Sequence, residues 1–217
     1  MRTKTLLLTA ALCAAGAATS MAQVYSVNMV GYINQAIPQG FSMIANQLNN
    51  SPDNRIITLL PATEGTRIYK FNPANGGFTF MQVVDGVWEP DAVAQTLTLN
   101  PGEGTYIFAP AAFTQTFVGE VALTSTVNLP AGFSMVSSAL PQSLPLNGAP
   151  PAGLGAPVGE GDRVYQFNPA TGGFIFNQFV DGAWDDGTPP VPAIGESFYY
   201  FNAGAAKGWS RTFSVGP

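Results

Sequence analysis

From Arg67 onward the apolar residues fall into a two-residue rhythm: Tyr69 and Phe71, then Phe78 and Phe80, with Ile68, Met81 and Val83 on the alternate positions. A period of two is that of a pleated strand, whose successive side chains point to opposite faces. After residue 22 no 3.6-residue apolar period is sustained over an ordinary helix length. The pattern predicts strands at Arg67 to Phe71, Phe78 to Val84 and Val87 to about Glu89, and further strands at Phe41 to Asn46, Thr105 to Phe108 and Thr116 to Val121. Val24 to Ile33 is one more strand candidate. Asp85-Gly86 between Val84 and Val87 is a two-residue type I′ hairpin signal, and Asn72-Pro73-Ala74-Asn75-Gly76-Gly77 reads as a longer hairpin loop.

The pattern occurs twice. Glu64 to Trp88 returns as Glu160 to Trp184, including Tyr-x-Phe-Asn-Pro-Ala, Gly-Gly-Phe-x-Phe and Asp-Gly-x-Trp. Gly40-Phe-Ser-Met43 returns as Gly132-Phe-Ser-Met135, Gly102-Glu103 as Gly195-Glu196, and Thr116-Phe117 as Thr212-Phe213. Anchors kept in order over the whole length mean a duplicated unit rather than a duplicated hairpin. The expected organisation is a leader at 1–22, one β-unit at 23–121 and a second at 122–217. The fold class is all-β: two tandem, pseudo-symmetric antiparallel units of sandwich or barrel type, each of five or six strands. Between anchors the halves diverge. Arg55 to Leu60 suits a short strand or helical turn, whereas Pro141 to Pro157 is so rich in Pro and Gly that it reads as a long surface loop.

Alternation allows the repeats to be compared one face at a time. Arg67, Tyr69, Phe71, Phe78, Phe80 and Gln82 have identical counterparts in Arg163, Tyr165, Phe167, Phe174, Phe176 and Gln178. Ile68, Lys70, Thr79, Met81 and Val83 become Val164, Gln166, Ile175, Asn177 and Phe179. Two copies share packing needs more than surroundings, so the unchanged face is expected to be the core. A buried arginine needs a counter-charge, which predicts the pairs Arg67 with Glu103 and Arg163 with Glu196. A tight Asp-Gly turn sets Trp88 opposite Val83 and Trp184 opposite Phe179, on the drifted face. There, with Phe179, Trp209 and Tyr199, the indoles are candidates for a ligand or partner surface concentrated in the second repeat.

The first residues change where this chain is expected to work. Met-Arg-Thr-Lys, an apolar run from Leu6 to Ala18, and Ser20 and Ala22 at small-residue positions read as a secretory leader cut after Ala22. The single cysteine, Cys13, leaves with it, and the chain has no histidine. Disulfides, thiol nucleophiles, Ser-His-Asp triads and zinc sites with His or Cys ligands are thereby excluded from the remainder. Losing Arg2 and Lys4 takes eight basic residues to six against thirteen acidic ones, moving the formal charge from −5 to −7. That balance argues against nucleic acid as a partner, and no later apolar run is long enough for a transmembrane segment.

Carboxylates are the remaining catalytic groups, and Glu64, Asp85 and Glu103 recur as Glu160, Asp181 and Glu196 beside glycines, where turn geometry accounts for them. Asp181, Asp185 and Asp186 lack the alternating spacing of a calcium loop. No catalytic residue, metal or cofactor is expected. The function expected is that of a secreted structural or adhesive protein of the cell surface or matrix, associating with itself or other surface proteins. The alternative is a carbohydrate-binding module using exposed aromatics.

At Gly-Phe-Ser-Met-Ile-Ala-Asn, Tyr-Lys-Phe-Asn, Asp-Gly-Val-Trp-Glu-Pro, Pro-Gly-Glu-Gly-Thr-Tyr-Ile-Phe and Phe-Val-Gly-Glu-Val, the chain resembles a group of uncharacterised secreted bacterial proteins with such units singly or in tandem. The resemblance implies a duplicated β-fold and carries no activity, cofactor or catalytic residue.

Overall fold

The computed structural model describes residues 29–213; the expected leader and the start of the expected first strand lie outside the described residues. The first half holds β1 (Val30–Ile37), β2 (Gly40–Ile44), β3 (Arg67–Asn72), β4 (Gly77–Val84), β5 (Val87–Glu89), β6 (Thr105–Ala109) and β7 (Phe113–Glu120), with single helical turns α1 (Ile56–Leu59) and α2 (Asp91–Ala94). The second half holds β8 (Thr124–Leu129), β9 (Gly132–Val136), β10 (Arg163–Asn168), β11 (Gly173–Val180), β12 (Ala183–Trp184), β13 (Phe198–Asn202) and β14 (Lys207–Thr212). Among the described residues each unit has seven strands. A five-stranded antiparallel sheet of order β2-β6-β3-β4-β5 is backed by the ribbon β1-β7, and β9-β13-β10-β11-β12 by β8-β14. The protein is therefore all-β, with two tandem sandwich-like units of matching topology.

The hairpins form as their residues dictate. Asp85 and Gly86 have φ of 53° and 76°, and Asp181 and Gly182 have 53° and 78°, as a type I′ turn requires. Trp88 lies opposite Val83 and Trp184 opposite Phe179, the register that a two-residue loop imposes. In the longer hairpins the Asn72 and Asn168 side chains accept the amides of Ala74 and Ala170, each at 3.0 Å, closing Asx turns. Glu64 and Glu160 reach across to the amides of Gly86 and Asp181 in the short hairpins.

The core sits on the face opposite to the one expected. Ile68, Met81, Val83 and Ile107 of the first sheet are sealed against Ile33, Ile37 and Phe117 of its ribbon, with Ile56 and Leu59 of α1 closing one end. In the second unit Val164, Phe198, Tyr200 and Trp184 meet Val127, Leu129 and Trp209. Leu140 and Phe213 of the second half pack into the first core. The Pro-rich loop is more than a surface loop: its Leu146 and Leu154 are fully buried in the second core, in place of α1.

Drift on the core side is compensated where it places polar groups in the interior. Asn177, where the first unit has Met81, donates to Asp186 at 2.8 Å. The ribbon registers pair Ile37 with Phe113 and Leu129 with Lys207, so Arg211, not Phe213, is the counterpart of Phe117. Three positions change together from Thr66, Ile107 and Phe113 to Asp162, Tyr200 and Lys207. Asp162 is buried, pairs with Lys207, and accepts Tyr200 Oη at 2.5 Å and the amides of Gly159 at 2.8 Å and Ala203 at 2.9 Å. Burial acts to raise its pKa, but these partners hold it below the ordinary carboxylate value.

Candidate aromatic binding face

The two five-stranded sheets join through reciprocal pairings. Ile44, at the end of β2, bridges Glu196 before β13; its counterpart Val136, at the end of β9, bridges Glu103 before β6. The amides of Ala45 and Ser137 donate to the carbonyls of Gly195 and Gly102 at 2.8 and 3.0 Å. Counterpart bonds running in both directions define a pseudo-dyad between the units. At this joint Gly104 faces its own counterpart, Ser197: a Cβ on Gly104 would lie 2.5 Å from Ser197 Cβ. Two equivalent positions meeting on an axis cannot both carry a side chain, which accounts for glycine in one repeat and serine in the other.

This joint makes the unchanged faces continuous. The first sheet presents Phe41, Tyr69, Phe71 and Phe78, with Phe80, Tyr106 and Phe108 beside them; the second presents their counterparts Phe133, Tyr165, Phe167 and Phe174, with Phe176, Tyr199 and Phe201. The rings form one connected network. Across the joint Phe71 meets Tyr199 at 5.4 Å, Tyr106 meets Phe167 at 5.7 Å, and Tyr106 meets Tyr199 at 6.0 Å between centroids. Burial raises the pKa of both central phenols, Tyr199 to about 12. Most of these ring pairs are tilted or edge-on, the arrangement that quadrupoles favour.

Unlike a core, the network is open to solvent. Phe41, Phe78, Phe80, Phe133, Phe174 and Phe176 expose between 37% and 48% of their surface. Two apolar clefts, related by the pseudo-dyad, indent it. One, of about 510 Å³, has walls of Phe41, Tyr69, Phe78 and Tyr106 from the first repeat and Phe167 and Pro169 from the second. The other, of about 570 Å³, has Phe133, Tyr165, Phe174 and Tyr199 from the second and Phe71 and Pro73 from the first. Neither cleft is complete without both repeats.

Arg67 and Arg163 lie at the margins of this face. Each guanidinium sits over a ring, Phe108 or Phe201, with 5.2 Å to the centroid in both cases. The expected pairs with Glu103 and Glu196 do not form, because alternation puts the arginines on the face away from those acids. Glu103 instead takes Lys70 Nζ at 2.6 Å, and Glu196 takes Gln166 Nε2 at 2.9 Å. Burial pushes the pKa of Glu196 up, against the Ala193 amide and Gln166.

The expected indole surface is also corrected. Trp88, Trp184 and Trp209 are 6%, 5% and 2% exposed, on the core side of their strands. Trp184 Nε1 donates to Asn147 Oδ1 and Trp209 Nε1 to the Leu154 carbonyl. Phe179 is half-buried edge-on against Trp184. Of the five candidates, Tyr199 alone belongs to the aromatic face. Asp185 and Asp186 accept the amides of Gln178 and Thr188, and Asp181 is a turn residue. Among the described residues no group of three or more His, Cys, Asp or Glu side chains is placed to hold a metal ion, and no helix is long and apolar enough to cross a membrane.

No protein-family model, curated protein or solved structure matches the chain.

Proposed function

We propose that this is an exported, non-enzymatic structural or adhesive protein that works by apolar contact through its aromatic face. The observation that carries the reading is that the face both repeats hold unchanged is the one turned to solvent, while the buried face has drifted. Soluble monomers rarely expose contiguous apolar patches of this extent unless they contact something. A core tolerates substitution that keeps volume and pairs polar groups, as Met81 and Asn177 illustrate; an exposed surface is held constant by what it meets. The leader-like N-terminus supports export. The carboxylates at Glu64, Glu160, Asp162 and Glu196 are engaged in turn and core bonds.

Glycan binding through indoles loses its platform, since all three indoles are buried. The rings that are exposed stand at angles to one another rather than as a flat platform for a sugar. Adsorption by quartz-crystal microbalance onto methyl-terminated, hydroxyl-terminated and polysaccharide films tests the reading. The protein is expected to bind the methyl film, and Phe78→Thr/Phe174→Thr to lose most of that binding. Equal adsorption of the variant, or binding to polysaccharide alone, would overturn it.

A further inference from the structure

We infer that the occupant of the aromatic face is a second copy of this chain, the two faces stacking about a twofold axis. The inference rests on the reading of that face as the working surface. Three observations select this partner.

The first is area. At about 200 Å² per residue, the six exposed phenylalanines leave roughly 500 Å² of apolar surface, and the half-buried rings between them bring the face to on the order of 800 Å². That is about one partner's share of a standard protein interface.

The second is symmetry. A twofold interface uses the same patch on both subunits and must be self-complementary. Here the face is itself built of two equivalent halves, each with one cleft. Phe78 and Phe174, the most exposed of its rings at 48% and 45%, stand at the cleft walls, placed to enter the facing clefts of a second copy.

The third is charge. The chain carries a formal charge of −5 over its full length, yet among the described residues the carboxylates beside this face stand at its outer margins, Glu89 and Asp91 next to Phe80 and Asp185 next to Gln178, and Arg67 and Arg163 are held over its own rings. Apposed faces therefore bring rings together without bringing acids together. The cleft walls are predominantly hydrocarbon, with tyrosine hydroxyls as their main polar side-chain groups, and so match another such face better than a hydroxyl-rich polymer.

Sedimentation velocity on residues 23–217 over a concentration series tests this. A monomer–dimer equilibrium is expected, weakened at least ~10-fold by Phe78→Thr/Phe174→Thr and unchanged by Tyr32→Thr, which alters an exposed ring of β1 outside the face. In the unsubstituted chain, hydroxyl-radical labelling of Phe78 and Phe174 should fall as concentration crosses the dimer range, a readout independent of whether the variant folds. A monomer at every concentration that still adsorbs to the methyl film would overturn this inference and leave the adhesive reading standing. A dimer indifferent to Phe78 and Phe174, with no concentration-dependent protection of those rings, would overturn it as well. So would a monomer that dimerises only after residues 23–28 are removed, since the chain's own segment would then be the occupant.

Discussion

Gly104 is where the two units are held together, and replacing it isolates that joint. In Gly104→Ala the new Cβ would meet Ser197 Cβ at 2.5 Å, Ser197 Oγ at 2.8 Å and Met135 Cγ at 2.9 Å. Met135 is flexible enough to give way, but Ser197 Cβ is bound to the backbone of the opposing segment. Overpacking of this kind costs roughly 1–3 kcal/mol, and a backbone-anchored contact belongs at the upper end. Ordering less freedom in the unfolded chain returns about 0.4–1 kcal/mol, so a net loss of about 2 kcal/mol is expected. For a chain of this size that lowers Tm by roughly 4–8 °C. Adding Ser197→Gly removes the two closest contacts, and the double variant should show a favourable coupling of at least about 1 kcal/mol relative to the sum of the singles. Urea unfolding followed by fluorescence of the buried tryptophans measures all four corners of the cycle. Additive effects, or a Gly104→Ala variant as stable as the parent, would refute the close approach of counterpart residues and with it the continuity of the aromatic face.

Other outcomes follow from the same geometry. Asp162→Asn leaves Lys207 without its counter-charge and weakens the acceptor of the Tyr200 hydroxyl, and should cost about 2–4 kcal/mol at neutral pH by thermal unfolding. Because the folded-state pKa of Asp162 is depressed, its contribution is complete above the ordinary carboxylate value of 3.8 and disappears as pH falls through the folded value, so parent and variant should converge in acid. Gln166→Lys rebuilds in the second unit the Lys70–Glu103 pair of the first. It should stabilise by up to about 1 kcal/mol at pH 7. The raised pKa of Glu196 makes its charged form the unfavourable one, so this gain is present at neutral pH and lost as Glu196 protonates in acid. Ile68→Ala empties a fully buried site and should cost about 2–5 kcal/mol in chemical denaturation. Gly86→Ala puts a side chain at a φ of 76° and should cost about 1–2 kcal/mol by the same assay.

Much of the fold is legible in the chain, because its signals are local. Alternation from Arg67 to Val84 and the Asp-Gly dipeptides specify hairpins and their register with no knowledge of the rest of the molecule. What alternation leaves open is which of the two faces lies inward. Constancy between repeats pointed to the wrong one. A buried site constrains volume and polar pairing, so Ile68 can become Val164, and Ile107 can become Tyr200 once Asp162 and Lys207 are there to bond it. A solvent-facing ring has no such route to compensation if a partner must fit it.

An arginine placed inside calls for a salt bridge, but the partner of Glu103 is Lys70, which lies on the opposite face of β3 from Arg67. Leu146 and Leu154 were hidden by their setting, since Pro and Gly report irregular backbone and say nothing of burial. Pro90 followed by Asp91 was a readable sign of the turn α2. The need for glycine at 104 is not readable locally, because the atom it makes room for belongs to a residue distant in the chain.

Hydroxyl-radical labelling with mass spectrometry, in solution dilute enough to hold the monomer, tests most directly which face is outside. Rapid modification of Phe78, Phe80, Phe174 and Phe176, with Met81, Trp88 and Trp184 protected until the chain unfolds, is the predicted result. Fast oxidation of Met81 and both indoles while those phenylalanines stay protected would contradict it.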